Sequence, residues 1–409
     1  MKKESVIFSI VLAFIAFTFG AVMAQNTPKN PGVFELKNND RVLFLGNSLF
    51  ENEFQYGYLE LALTTRWPDR NVTFRNLGWT ADNVWGEARS TFTNPPTPYQ
   101  HLMTQITKAQ PTVVFIAYGG VEAQEGEAGL PRFKEGFTKL LDKIDSLGAK
   151  SILLSPIPVM YEDPSANVTK RNADLELYAS AIAKVAAERG KQYIDIYKPI
   201  QEISKNASIL ENGVHLNEVG YYYLASILEK NLGLTPQPQP VSITVSKNAA
   251  EASSSAKILE SGKENPTLKF TLNEKYLPLP LPVNGSSITE NLQLIKVAGL
   301  KKGFYTLTVD NQEVATASAQ KWAEGVVITQ GPDFNQVAQL REMIIKKNEQ
   351  FFFQYRPLNR TYILGFRSYE QGRHAKGLEE QSLIIKWLEG QIALHSLPKS
   401  SVYQLSPVK

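Results

Sequence analysis

The stretch RVLFLGNSLFEN, Arg41–Asn52, decides the fold. An apolar run from Val42 to Leu45 has the length of a buried strand; Gly46-Asn47-Ser48 breaks it, and a polar, helix-compatible sequence follows. A strand that turns on small residues into a helix is the first half of a βαβ unit. The Ser48 hydroxyl at that turn suits two jobs, capping the next helix or acting as a nucleophile, and the short motif leaves both open.

Working outward, four more short apolar runs repeat the pattern: VTFR (72–75), VVFIAY (113–118), ILLS (152–155) and YIDIY (193–197). Between them Phe133, Phe137, Leu140, Leu141, Ile144 and Leu147 recur at helical spacing, with Gly148 placed to end the helix. Leu175, Tyr178, Ala179, Ile182, Val185 and Ala186 do the same before Gly190. The alternation predicts an α/β/α sandwich on a five-stranded parallel sheet over residues 33–234. The proline-rich TPQPQP, 235–240, reads as a stiff linker. A second, smaller β-rich domain with helical segments is expected over 241–409, with strands at VSITVS, LKFTL and LQLIKV and a hairpin turning on Asp310-Asn311. A helix is expected from Asp333, with Gln336 completing a capping-box pattern. The Arg- and aromatic-rich segment from Arg356 reads either as solvated surface or as a loop folded back on the first domain.

A length of 409 residues suits two domains. With 43 basic and 40 acidic residues and no basic block beyond the first residues, nucleic acid is not an expected partner. Lys2 and Lys3 precede the apolar run Val6–Ala24, which ends in small residues before Gln25. This reads as a cleaved secretory signal over 1–24, hence a periplasmic or extracellular protein without a stable membrane anchor; an uncleaved anchor is the alternative. The absence of cysteine removes disulfides, a cysteine nucleophile and thiolate metal sites. The four histidines lack HExxH-type spacing, so neither metal nor other cofactor is expected, and His101, His374 and His395 read as structural or solvated. Nothing in the sequence speaks to oligomeric state.

In an open parallel sheet, ligands gather beyond the carboxyl ends of the strands, where every strand delivers its following loop. The loops expected there carry Gly46-Asn47-Ser48, then RNLGWTADN, then Tyr118 to Ala123, and finally LENGVHLNEVGYYYL with His215. A serine hydroxyl becomes a useful nucleophile when an imidazole can take its proton, and His215 is the histidine found in a loop at this rim.

These blocks, in this order, resemble the SGNH, or GDSL-type, hydrolase family of secreted α/β/α esterases, acetylesterases and lipases. The wording FLGNSLFE, FRNLGWTADNVWGEAR and AYGGVEAQEGEAGL is most similar to a bacterial branch with a β-rich C-terminal extension. The resemblance implies Ser48 as nucleophile, His215 as general base, and the backbone N–H groups of Ser48 and Gly78 as oxyanion-hole donors. Three positions depart from the family pattern. Val121 stands where an Asn side chain would complete the oxyanion hole, Asn212 stands where an Asp would orient the imidazole, and Asn47 replaces Asp beside the serine. Asn47, Glu122, Glu211 and Asn212 are the candidate pocket-lining or His-orienting residues. Trp79 and Trp85 flank the second block and suit either stacking on a sugar or core packing.

The resemblance thus implies an exported serine ester hydrolase acting on a small-molecule or carbohydrate ester, with an acetylated carbohydrate as the favoured substrate. The alternative is a pseudoenzyme of SGNH fold, weakened or inactive in hydrolysis, that binds a glycan or another ligand.

Overall fold

The run around Val42 forms β1 (Arg41–Gly46), flanked by the parallel strands β2 (Thr73–Asn76) and β3 (Val113–Ala117); β4 (Lys150–Leu154) and β5 (Gln192–Ile194) complete a sheet of order β2-β1-β3-β4-β5. The computed structural model describes residues 33–90, 96–161, 167–235, 238–247, 249–261, 267–273, 276–285, 288, 292–357, 369 and 374–408. The expected signal and the middle of the proline-rich linker lie outside these residues.

The strands read as continuous apolar runs because both faces of the sheet are covered. Leu43 and Leu45 join a core with Phe137 and Ile182. Phe44 packs against Phe50 and Phe115, with ring centroids 5.2 and 5.6 Å apart. Helices α1 (Ser48–Tyr56), α2 (Tyr58–Arg66), α3 (Pro98–Ala109), α4 (Gly126–Ser146), α5 (Val168–Glu188), α6 (Tyr197–Ile203) and α7 (Glu218–Asn231) connect and flank the strands. Gly57, at φ +68°, separates α1 from α2.

From Val241 onward the chain builds two further sheets. One is antiparallel, of order β10 (Ala256–Ser261), β11 (Leu268–Leu272), β16 (Val402–Pro407), β13 (Phe304–Val309), β14 (Gln312–Ser318). The other has the order β15 (Val326–Ile328), β12 (Gln293–Ala298), β8 (Val241–Val245), β9 (Ala250–Ala252), with β12 parallel to β8. The β13–β14 hairpin turns on Asp310 and Asn311 at φ 48° and 71°, as a type I′ turn demands. A core around Val241, Phe270, Leu307 and Trp322 lies between these elements.

Helices α8 (Ala319–Glu324), α9 (Pro332–Tyr355) and α10 (His374–His395) complete the chain. The start of α9 differs from expectation. Its N-cap is Gly331 with Pro332 in the first turn, while the Asp333 carboxylate accepts from Tyr403 Oη at 3.2 Å, because that buried tyrosine end competes for it. The helix runs back over the parallel-sheet region. Leu340 and Ile344 pack with Leu61, and Lys347 Nζ, fully buried, pairs with Glu60 Oε2 at 2.7 Å. Leu36–Lys409 consequently forms one compact unit. Among the described residues no helix is long and apolar enough to cross a membrane.

Candidate functional site

Gly46 ends β1 so close to β3 that a Cβ there would lie 2.4 Å from Ala117 O, which is why the turn begins on glycine. The cap of α1 is Asn47, whose Oδ1 accepts the Leu49 N–H at 3.1 Å while its carbonyl accepts from Phe50 and Glu51. Ser48 is therefore released from the capping job. Its N–H and hydroxyl make no hydrogen bond among the described residues, and both stand at the positive end of α1, where an anion is favoured.

Ser48 lines a cavity of about 230 Å³ together with His215, Ala81, Gly120, Val121 and Arg171. His215 arrives on a hairpin, β6 (Leu210–Glu211) and β7 (His215–Leu216), whose turn uses Asn212 and Gly213 at φ 44° and 71° and closes with Val214 N–H to Glu211 O at 3.1 Å. Tyr221 Oη donates to Leu49 O at 2.6 Å and so ties α7, which follows the hairpin, to the first turn of α1. The structure brings Ser48 and His215 to one cavity without a hydrogen bond between their side chains.

Neither candidate for orienting the imidazole does so. Glu211 Oε1 accepts from Tyr56 Oη at 3.2 Å. Asn212 serves the turn, where two consecutive positive φ values favour Asn-Gly, and it faces a separate cavity of about 900 Å³. Among the described residues no acidic side chain bonds to His215.

Gly78 does not line the cavity, and its N–H donates to Asn76 Oδ1 at 2.8 Å. Its lack of a side chain serves a close approach instead, since a Cβ would lie 2.2 Å from Glu51 N. Three residues on, Ala81 lines the cavity at φ +62°, with an N–H that makes no hydrogen bond among the described residues. Sequence reasoning missed it because a left-handed conformation is uncommon for alanine and nothing in the residue type advertises it.

Glu122 is a brace rather than a pocket residue. It is buried, accepts from Val84 N–H at 3.0 Å and Gly119 N–H at 2.8 Å, and burial pushes its carboxyl up to about 7 against those hydrogen bonds. Trp79 is core: the guanidinium carbons of Arg89 and Arg356 sit 5.1 and 4.0 Å from a centroid of its rings. Trp85 is half-buried outside the cavity. His101, on α3, has Nδ1 3.1 Å from Arg89 O.

The loop bearing Ala81 is held from several directions. Asp82 Oδ2 accepts from Arg89 Nε at 2.7 Å and Tyr118 Oη at 3.0 Å, with Asp82 and Arg89 fully buried. Glu51 Oε2, one turn after Ser48, accepts from Thr80 N–H and from Arg356 at 3.0 Å. Tyr355 Oη donates to Gly78 O at 2.8 Å. Arg356 thus folds back on the parallel-sheet region; positions 358–368 and 370–373 of its segment lie outside the described residues. Among the described residues no three His, Asp or Glu side chains gather in a way that would hold a metal ion.

Residues 44–223 match the profile of the GDSL-like Lipase/Acylhydrolase family. A gut microbial diltiazem-metabolizing enzyme, 17% identical, superposes with a TM-score of 0.70 over 92% of this chain and 99% of that one, so the two share a fold along nearly their whole length. A catalytic mutant of an acetylxylan esterase from Geobacillus stearothermophilus is 15% identical, with a TM-score of 0.41 over 49% of this chain and 98% of that one. An alpha/beta hydrolase enzyme from the metagenome of Lake Arreo, Spain, is 14% identical, with a TM-score of 0.39 over 48% and 97%. No curated protein matches the sequence.

Proposed function

Since residues 44–223 carry a GDSL-like lipase/acylhydrolase domain, we propose that the protein hydrolyses a carboxylic ester through Ser48, with His215 as general base. The observation that carries this reading is the cavity shared by a serine at a helix N-terminus, without a hydrogen bond among the described residues, and a histidine from a distant hairpin. The Ser48 hydroxyl attacks the ester carbonyl, His215 takes its proton and returns it to the leaving alcohol, and water then releases the acyl group by the same steps. The tetrahedral oxyanion is met by the N–H groups of Ser48 and Ala81.

A third donor is available where Val121 offers none. With Oδ1 of Asn47 committed to the cap, its Nδ2 stands beside Gly120, 3.3 Å from where a Cβ of that residue would be. An aspartate in this place would have no such proton, so Asn47 and Val121 are read as a compensating pair. One oxyanion donor is worth about 10²- to 10³-fold in kcat. Asn47→Asp is accordingly expected to lower kcat by at least about tenfold, and to lower it far less in a Val121→Asn background; equal losses in both backgrounds would refute the pairing.

A fluorophosphonate probe tests the nucleophile directly. It should label the wild-type chain and leave Ser48→Ala unlabelled, and that variant should lose at least about 10³-fold in kcat against a short-chain chromogenic ester. Equal labelling of both proteins would sink the assignment.

The second reading, a binding module, is favoured by two features: among the described residues no acid orients His215, and no hydrogen bond joins it to Ser48. That reading expects no labelling and a ligand that raises the melting temperature. On the apolar run Val6–Ala24 we further propose export, with a mature chain beginning at Gln25, which mass spectrometry of the secreted protein would check.

A further inference from the structure

The Ser48 cavity holds a positive charge that ester hydrolysis does not call for. Arg171, in the first turns of α5, lines the cavity half-buried. Its side chain makes no ion pair or hydrogen bond among the described residues, and none of the described residues lining the cavity is an Asp or Glu. Comparable arginines elsewhere are neutralised: Arg66 by Glu229, Arg75 by Glu389, Arg341 by Glu218 and Arg356 by Glu51. Its neighbour Lys170 is paired with Asp174. A guanidinium drawn partly out of water without a counter-charge is disfavoured, and its planar fork matches a carboxylate bidentately.

We propose that Arg171 is an anion-recognition point and that the ester cleaved at Ser48 is a short one bearing a carboxylate. This rests on the reading of Ser48 as the nucleophile for its catalytic half, but not for its binding half. The cavity volume of about 230 Å³ falls below the roughly 300–1,000 Å³ of pockets that hold drug-sized ligands, which suits a short acid rather than a long acyl chain. The carboxylate can belong to the acyl part, as in a half-ester of a dicarboxylic acid, or to the alcohol part, as in an O-acetylated uronic acid.

Two substrate pairs separate these sources. The 4-nitrophenyl half-ester of glutaric acid is compared with 4-nitrophenyl butyrate, and O-acetylglucuronic acid with O-acetylglucose. The wild-type protein should prefer the anionic member of at least one pair by about tenfold or more in kcat/KM, mainly through KM. That ratio should collapse in Arg171→Met and in Arg171→Gln and be partly kept in Arg171→Lys. No preference in either pair, or a preference that survives in Arg171→Met, would overturn the proposal. Binding is measured separately by titrating glutarate and glucuronate into the Ser48→Ala protein. If no ester is cleaved, the hydrolase reading fails by itself, and a 10- to 100-fold weakening of glutarate or glucuronate binding by Arg171→Met still upholds the anion site. Absence of binding by both acids would refute that site.

Discussion

The two walls of the Ser48 cavity are held by opposite means. On one wall, Gly46 to Leu49 is nearly self-sufficient: glycine permits the close approach to β3, and Asn47 caps the helix that begins with Ser48. On the other wall, residues 78–82 have two local bonds, Gly78 N–H to Asn76 Oδ1 at 2.8 Å and Asp82 N–H to Trp79 O at 2.9 Å. The other bonds that hold this loop come from elsewhere: Gly46, Glu51, Arg89, Tyr118, Tyr355 and Arg356. The contrast teaches that a nucleophile can be positioned by a few adjacent residues, whereas the groups receiving charge across from it depend on the whole fold.

The sharpest way to break this contrast is Arg89→Met. It would leave the buried Asp82 carboxylate without its cation, a loss of about 3 to 5 kcal/mol, and urea denaturation should show the corresponding fall in midpoint. Ester hydrolysis should fall as well, since Ala81 adjoins Asp82; unchanged stability would show that the second wall is more local than its contacts imply.

Glu122 probes the same wall through pH. Its carboxyl is held up to about 7 by burial against an ordinary 4.5, so the unfolded chain releases this proton first as pH rises. The stability associated with the protonated form is therefore complete below pH 4.5 and is lost as pH climbs through 7. Over that window the wild type should lose about 3 kcal/mol relative to Glu122→Gln, read from unfolding curves at several pH values. Parallel pH profiles for the two proteins would contradict a neutral buried carboxyl.

The smallest expected effect sharpens the comparison. Tyr355→Phe removes the single bond to Gly78 O, worth about 1 kcal/mol. A modest fall in kcat with little change in thermal stability would show that α9 contributes to the site's geometry; no change in either would assign the bracing to Glu51 and Asp82 alone.

Much of this architecture was legible. Continuous apolar runs identified the five parallel strands, since a strand covered on both faces has no polar side to present. Asp310-Asn311 identified a hairpin, since few residue pairs tolerate two positive φ values. Legibility stopped where a residue's role depends on which of several possible partners engages it. Gly78 looked like a donor because glycine leaves its N–H unobstructed, yet Asn76 occupies that N–H. Glu122 looked like a pocket residue because of its place in the third block, yet backbone N–H groups turn it inward. Asp333 looked like a cap until Tyr403, from the last strand, engaged it. The return of α9 across α1 and α2 carries no local mark at all.

By itself the sequence determined the parallel sheet, the turn at Ser48 and the loop that delivers His215, because strand length, capping chemistry and turn residues act over a few positions. Only the tertiary structure decided that Ala81 rather than Gly78 faces the cavity, and that, among the described residues, Glu211 and Asn212 leave His215 without an acid and Arg171 reaches the same space unpaired. Those outcomes depend on which groups the fold brings together to compete for the same hydrogen bonds and charges, and chain spacing alone carries no record of that competition.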